Sequence, residues 1–203
     1  MSEIGTDESL DEGAPLNSVV TPPKKGHHVL LEWGVILLVA LVVSVGLRTF
    51  AFQTFYIPSG SMEPTLQIGD RIIVDKLAVD WGSIHRGDVL VFKAPPAEDC
   101  GGDPVVDLVK RVVGLPGDKI YSIGNTIYVN GKKFDENWSH TEPLGSAIAP
   151  ANDPVVVSAN HYFMMGDNHS DSCDSRMWGT IPRSDVIGKA FFRVWPLNRI
   201  GFL

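Results

Sequence analysis

The sequence predicts a mainly β domain behind one N-terminal apolar helix, and three observations carry that expectation. Short runs rich in Val, Ile, Tyr and Phe, separated by turn residues, fill residues 53–203; one long uncharged apolar stretch lies near the N-terminus; and no helical period competes beyond it. The length of 203 residues suits one ordinary domain plus an extra segment, and is short of the ~250 of a typical (β/α)₈ barrel. The charge is acidic, −7 from 17 Lys+Arg against 24 Asp+Glu, with no basic block. That excludes nucleic acid as the main partner, because such affinity comes largely from clustered Lys and Arg neutralising phosphates.

Residues 1–28 hold Asp, Glu, Gly, Ser, Thr and Pro with few large apolar groups. They cannot bury enough surface to offset ordering and are expected to form a disordered tail. Residues 29–52 follow as a transmembrane helix. From Val29 to Leu47 the single charge is Glu32, and the run reaches the ~20 residues that a ~30 Å hydrocarbon core requires. A buried core helix and a cleaved signal peptide are the alternatives. A long acidic lead and an apolar stretch beyond the ~7–15 residues of a signal h-region disfavour the latter. Lys24 and Lys25 precede the span, and Arg48 lies at its far end. The bias in basic residues puts the N-terminus in the cytoplasm and residues 53–203 outside.

Within 53–203 the strand-like runs are Arg71–Val74, Asp88–Phe92, Val105–Val113, Lys119–Ile123, Thr126–Val129, His161–Met165 and Val186–Val194. Gly-Asn125, Asn130-Gly131 and Leu-Pro-Gly-Asp118 supply turn chemistry between them. The stretch from Asp135 to Asp153, with Pro143 and Pro150, reads as a loop or small insertion. Gly124 to Lys133 has the wrong glycine spacing for a phosphate loop, and Lys133 stands where Ser or Thr must hold Mg²⁺. Two distant cysteines make no zinc pair.

Three polar constellations remain. In Ile57-Pro-Ser59-Gly60-Ser61-Met-Glu-Pro64 two prolines fix the chain around a glycine. Such a turn can present Ser61 as a nucleophile, though the composition also suits an ordinary turn. In Val105–Val113 strand alternation puts Lys110 on one face with Val106, Leu108 and Val112. Desolvation there disfavours the charged amine and makes it a usable base, unless the side chain snorkels to the surface. The third is Gly166-Asp167-Asn168-His169-Ser170-Asp171-Ser172-Cys173-Asp174-Ser175-Arg176, a turn dense in hydrogen-bonding groups. It reads either as a solvated loop or as part of a site. His169 with Asp171 or Asp174 leaves a Ser-His-Asp arrangement open, but Ser61 lacks the flanks of a hydrolase nucleophile elbow.

Together these patches resemble the type I signal peptidases, membrane-anchored serine proteases with a Ser–Lys dyad. The matching segments are the membrane run, Pro-Ser-Gly-Ser61-Met-x-Pro-Thr, Lys110-Arg-Val-Val-Gly-Leu-Pro-Gly-Asp118, and Gly-Asp-Asn168 continuing to Ser172-x-Asp174-Ser-Arg176. The resemblance implies a signal-peptidase-like β-sheet catalytic domain that removes signal peptides from translocated preproteins after small residues. It implies that Ser61 attacks, Lys110 is the general base, Ser172 orients the lysine, and Ser59 with the Ser61 amide forms the oxyanion hole. Asp174 and Arg176 would buttress the site as an ion pair, with Asp167 and Asn168 shaping the turn. No metal or cofactor is implied; the partners are preprotein signal peptides and the lipid bilayer. The single span and modest insertion between Lys119 and Ala159 differ from relatives with two spans and a large accessory domain. A mitochondrial or plastid processing relative would share the chemistry, and a non-catalytic, membrane-tethered peptide-binding β domain is the competing class. An extracytoplasmic location further predicts a disulfide between Cys100 and Cys173, since paired cysteines persist in oxidising compartments.

Overall fold

A computed structural model describes residues 26–80, 82–96, 106–138 and 143–203. The expected tail up to residue 25, and Cys100, lie outside the described residues. Helix α1 (Gly26–Ala51) begins three residues before the expected span and ends one residue short of its expected limit. Its Val29–Gly46 segment has a mean hydropathy of 2.5, and none of it is buried. Among the described residues this is the one helix long and apolar enough to cross a membrane. The chain divides into two units between Val42 and Val43.

Among its described residues the second unit holds the end of α1, twelve strands and two short helices. The strands are β1 (Phe52–Tyr56), β2 (Arg71–Asp75), β3 (Val89–Lys93), β4 (Asp107–Gly114), β5 (Lys119–Ile123), β6 (Thr126–Val129), β7 (Lys132–Lys133), β8 (Val155–Val156), β9 (His161–Met165), β10 (Ile181–Pro182), β11 (Val186–Trp195) and β12 (Gly201–Phe202). Helices α2 (Leu77–Asp80) and α3 (Ser175–Trp178) are single turns. All seven predicted runs hold strands, with Val105 of the third lying outside the described residues. β1 is new: its Phe-Gln-Thr-Phe-Tyr sequence continues the apolar helix without a break, yet it pairs in register with β2 from Phe52↔Asp75 to Tyr56↔Arg71. The two-residue strands are too short to leave a periodic pattern.

The large sheet is antiparallel in the order β1-β2-β11-β3-β4-β9-β10, with β12 on β11; the small sheet runs β7-β6-β5-β8. Strand alternation distributes the apolar residues among three cores. Val89 and Val91 of β3 join Ile57, Met62 and Leu66 on one face, while Leu90 and Phe92 join Val112, Tyr162 and Met164 on the other. The two faces of β9 likewise separate, and Phe163 and Met165 pack with Ile120, Ile127 and Val129 of the small sheet. Gly114 makes that contact possible: a Cβ there would stand 2.2 Å from Ile120 Cδ1 and 2.8 Å from Phe163 Cβ. Where β4 meets this third core, only a hydrogen fits.

Two strand edges stay open. β1 is the terminal strand of the large sheet. In β4, residues 107–111 pair with β3, but β9 joins only from Arg111 onward. Among the described residues the segment 107–110 therefore has no strand on its second side.

Candidate active site

The turn after β1 is a single 3₁₀ turn, Gly60–Met62, entered through Pro58 and an extended Ser59. Met62 is 1% exposed and Leu66 is fully buried in the first core. These two apolar anchors pin a backbone that its prolines already restrict, and they leave Ser61, next to Met62, at 8% exposure. From the other side, Lys110 is positioned by the β3–β4 ladder, opposite Leu90. Its Nζ donates to Ser61 Oγ at 2.6 Å. Leu108 and Val112, on the same face, pack into the second core as alternation predicts. Val106 departs from the expectation: at 78% exposed it lies beyond the strand's paired length.

Burial pulls the Lys110 amine down from 10.5 to about 8; Asp174 opposes the fall, Arg176 adds to it, and Asp167 and Asp171 oppose it more weakly. A charge taken out of water is disfavoured unless a partner compensates, and here desolvation outweighs the carboxylates. The amine is consequently neutral over part of the mildly alkaline range. Ser59 Oγ lies 3.4 Å from Ser61 Oγ and is exposed beside it.

The Gly166–Arg176 segment closes the arrangement from β9. Asn168 binds the Gly60–Met62 turn twice, its N–H to Ser61 O at 3.1 Å and its Nδ2 to Gly60 O at 3.3 Å. Gly166 permits this approach, since a Cβ would meet Ser172 Oγ at 2.3 Å and Ser61 O at 2.4 Å. Asp174 is fully buried and accepts from Gly166 N, from Ser172 Oγ at 2.7 Å, and from Arg176 through Nε and Nη2, both at 2.7 Å. Arg176 also donates to the carbonyls of Leu144, His169 and Ser172. The Ser172 hydroxyl is thus committed to Asp174; no hydrogen bond joins it to Lys110 among the described residues.

Asp167 accepts from Arg111 Nε at 2.7 Å and Nη2 at 2.6 Å, a buried bidentate pair. Arg111 also donates to Gly87 O and Thr65 Oγ1, and its guanidinium lies 4.7 Å from the centre of the Trp138 ring. Neither Arg111 nor Trp138 was singled out from the sequence. Arg111 directly follows Lys110, so alternation turns it to the opposite face, away from the apolar pattern that exposed the lysine. His169 is drawn elsewhere: its Nε2 lies 3.0 Å from Glu136 Oε2, and Ser61 Oγ has Lys110 and Ser59 as its hydrogen-bonding neighbours. Cys173 is disulfide-bonded. No group of His, Cys, Asp and Glu among the described residues is arranged to hold a metal.

A groove of about 430 Å³ opens onto Ser61 and Lys110. It runs between the two open edges and is lined mainly by Phe55, Ile57, Met62, Leu108 and Val109. An extended peptide fits such a site by adding its backbone to unpaired strand edges.

The family model described as "Signal peptidase, peptidase S26" matches residues 30–195. A probable signal peptidase I-2 from Synechocystis sp. is 39% identical over 184 residues, covering 90% of this chain and 80% of the relative. A signal peptidase I from Leptolyngbya laminosa is 34% identical over 199 residues, covering 98% and 95%. A solved signal peptidase I from Enterococcus faecalis V583 is 28% identical, with a TM-score of 0.40, over 53% of this chain and 96% of that one.

Proposed function

The chain belongs to the signal peptidase family, peptidase S26, and from that membership we propose that Ser61 and Lys110 form the catalytic dyad with which it removes signal peptides from preproteins. The observation that carries the assignment is the buried 2.6 Å contact between Nζ and Oγ, with the amine pulled down to about 8. The neutral lysine takes the serine proton as Oγ attacks the scissile carbonyl. Ser59 Oγ and the Ser61 amide stabilise the oxyanion, because fixed donors aimed at developing charge need no reorganisation. Lys110, now charged, returns its proton to the leaving amine, and an acyl-enzyme remains on Ser61. Water then enters, Lys110 removes its proton, and hydrolysis frees the serine. Ser172 acts as a positioning residue through Asp174, the carboxylate that most strongly opposes the fall in the lysine's affinity for its proton.

Helix α1 anchors the chain in a bacterial plasma membrane as a single span, N-terminus cytoplasmic and residues 53–203 outside. Lys24 and Lys25 before the span support this orientation. Exposed Phe52, Trp195, Leu197, Ile200 and Phe202 suit contact with the lipid interface. The groove accepts an extended segment whose small side chains stand at the first and third positions before the cleavage point.

Cleavage of a test preprotein by the full-length protein in detergent, followed by intact-mass measurement of both fragments, tests the assignment. A single cut after a small residue, lost in Ser61→Ala, is expected. No cut, or a cut retained in Ser61→Ala, overturns it.

A further inference from the structure

One side chain in the groove has no counterpart in the dyad chemistry. Among the described residues Asp107 is the only carboxylate lining it. The buried or nearly buried carboxylates Asp70, Asp88, Asp118, Asp167 and Asp174 each pair with an Arg or Lys. The Asp107 carboxylate makes no hydrogen bond and no ion pair among the described residues. Lys93 stands directly across the β3–β4 ladder from it, yet the two side chains do not close into an ion pair. The carboxylate is half-buried beside an apolar floor, where it loses part of its hydration and gains no partner among the described residues in return. Such a group is stabilised by whatever cation enters the groove.

Its place along the groove is set by β4. Asp107 and Val109 share a face by alternation, and Val109 packs against the core that holds Ile57 and Met62. Asp107 precedes Lys110 by three strand residues, about 10 Å at ~3.3 Å each. A substrate extended along the open edge of β4 advances at the same rise per residue. The side chain it presents to Asp107 is therefore three or four residues from the bond that Ser61 attacks.

We propose that Asp107 is a specificity-determining residue that favours substrates with a positively charged side chain three or four residues from the scissile bond, outside the first and third positions before the cut, which the peptidase reading keeps small. The inference rests on the peptidase reading of the same groove. It deepens that reading by adding an electrostatic preference to a site otherwise selective for size and extended backbone.

The test uses the full-length protein in detergent and a peptide series carrying Lys, Gln or Glu at each of five positions on either side of the cleavage point. The readout is the ratio of kcat/KM for Lys to that for Glu at each position. In the wild type the ratio reaches about fivefold or more at one position three or four residues away, because attraction and repulsion act in opposite directions on the two peptides. Asp107→Asn brings that ratio close to one, and Asp107→Lys inverts it. Raising the salt concentration compresses the wild-type ratio, as expected for a partly solvated pair. A flat charge scan with efficient cleavage of the Gln peptides overturns the role of Asp107 and leaves the peptidase assignment standing. A ratio unchanged in Asp107→Asn also overturns it. Failure to cleave any Gln peptide overturns both readings.

Discussion

Lys110 Nζ meets Ser61 Oγ at 2.6 Å although 49 residues separate them in the chain. The two are held by unrelated devices. Ser61 rides on a proline-bounded turn anchored through Met62 and Leu66, and Lys110 on the register of β4 against β3. Asn168 clamps the turn from a third direction by binding the carbonyls of Ser61 and Gly60. Local loop variation therefore leaves the pair intact, whereas a shift in strand register would turn the lysine to the opposite face.

Ser61→Ala and Lys110→Ala should each lower kcat/KM on a preprotein by about 10⁴-fold or more, as removal of members of a catalytic unit does. Lys110→Arg should fail equally, since guanidinium does not give up its proton. His169→Ala, which breaks the contact with Glu136 but no contact to Ser61, should cost less than about tenfold. Steady-state kinetics with circular dichroism of each variant decides this. A loss in His169→Ala equal to that in Ser61→Ala returns the mechanism to a histidine base.

The rate should depend on pH through the lysine. Its amine is charged below about 8 and neutral above, so kcat/KM rises with pH and levels off once the proton is gone. Asp174 raises the proton affinity of Lys110; Asp174→Asn should therefore move the acidic limb to lower pH. A limb with its midpoint near ~10, the value of a solvated lysine, excludes Lys110 as the base.

The same burial makes the lysine a source of instability. Its folded value of about 8 lies below the 10.5 of a solvated amine, so unfolding takes up a proton between those limits. The cost is full below about 8 and fades as pH rises toward 10.5. Lys110→Met should accordingly stabilise the inactive protein by about 3 kcal/mol at neutral pH. The advantage should shrink to under about 1 kcal/mol at pH ~10. Denaturant unfolding of both proteins at the two pH values measures it, and an equal difference at both removes the titration as its cause.

Breaking the Asp174–Arg176 pair should cost far more than a surface ion pair. Both side chains are almost wholly buried, 0% and 1% exposed, and Asp174→Ala leaves a guanidinium without its carboxylate, a loss of about 3–5 kcal/mol. Arg176→Lys should recover only part of the stability because it cannot reproduce the two-pronged contact. A loss below about 1 kcal/mol in Asp174→Ala, by the same unfolding measurement, contradicts this account.

Cys173 sits between Ser172 and Asp174 and is disulfide-bonded; the expected partner is Cys100, the chain's other cysteine. Closing a loop of ~70 residues contributes about 4 kcal/mol in the chain-entropy picture. Non-reducing peptide mapping should yield a Cys100–Cys173 linked fragment, and alkylation of both thiols without reduction rules the bridge out.

The strands and the apolar helix were legible because each has its own period or length. The seven longer runs alternate or stay apolar for four residues or more, and the helix needs no partner to be recognised. Ser61 and Lys110 stood out because each breaks a local pattern: a serine between prolines, and a cation on an apolar face. Arg111 and Trp138 were invisible for the opposite reason, since an arginine in a strand and a tryptophan in a loop violate nothing until the fold brings them 4.7 Å apart. The commitment of Ser172 to Asp174 was equally unreadable. Neighbouring polar residues offer many pairings, and only rotamers and backbone geometry choose among them.

The open edges of β1 and β4 have a cost as well as a use. An unpaired strand recognises backbone rather than sequence, so whatever admits a substrate also admits a strand from another copy of the chain. Brevity limits that hazard: β1 exposes five residues before Pro58 ends its hydrogen-bonding potential, and β4 offers only residues 107–110 before β9 covers it. The edge is long enough to hold a short segment in line with Ser61 and too short to seed a growing intermolecular sheet. Lengthening either strand in pursuit of tighter peptide binding would trade turnover for self-association.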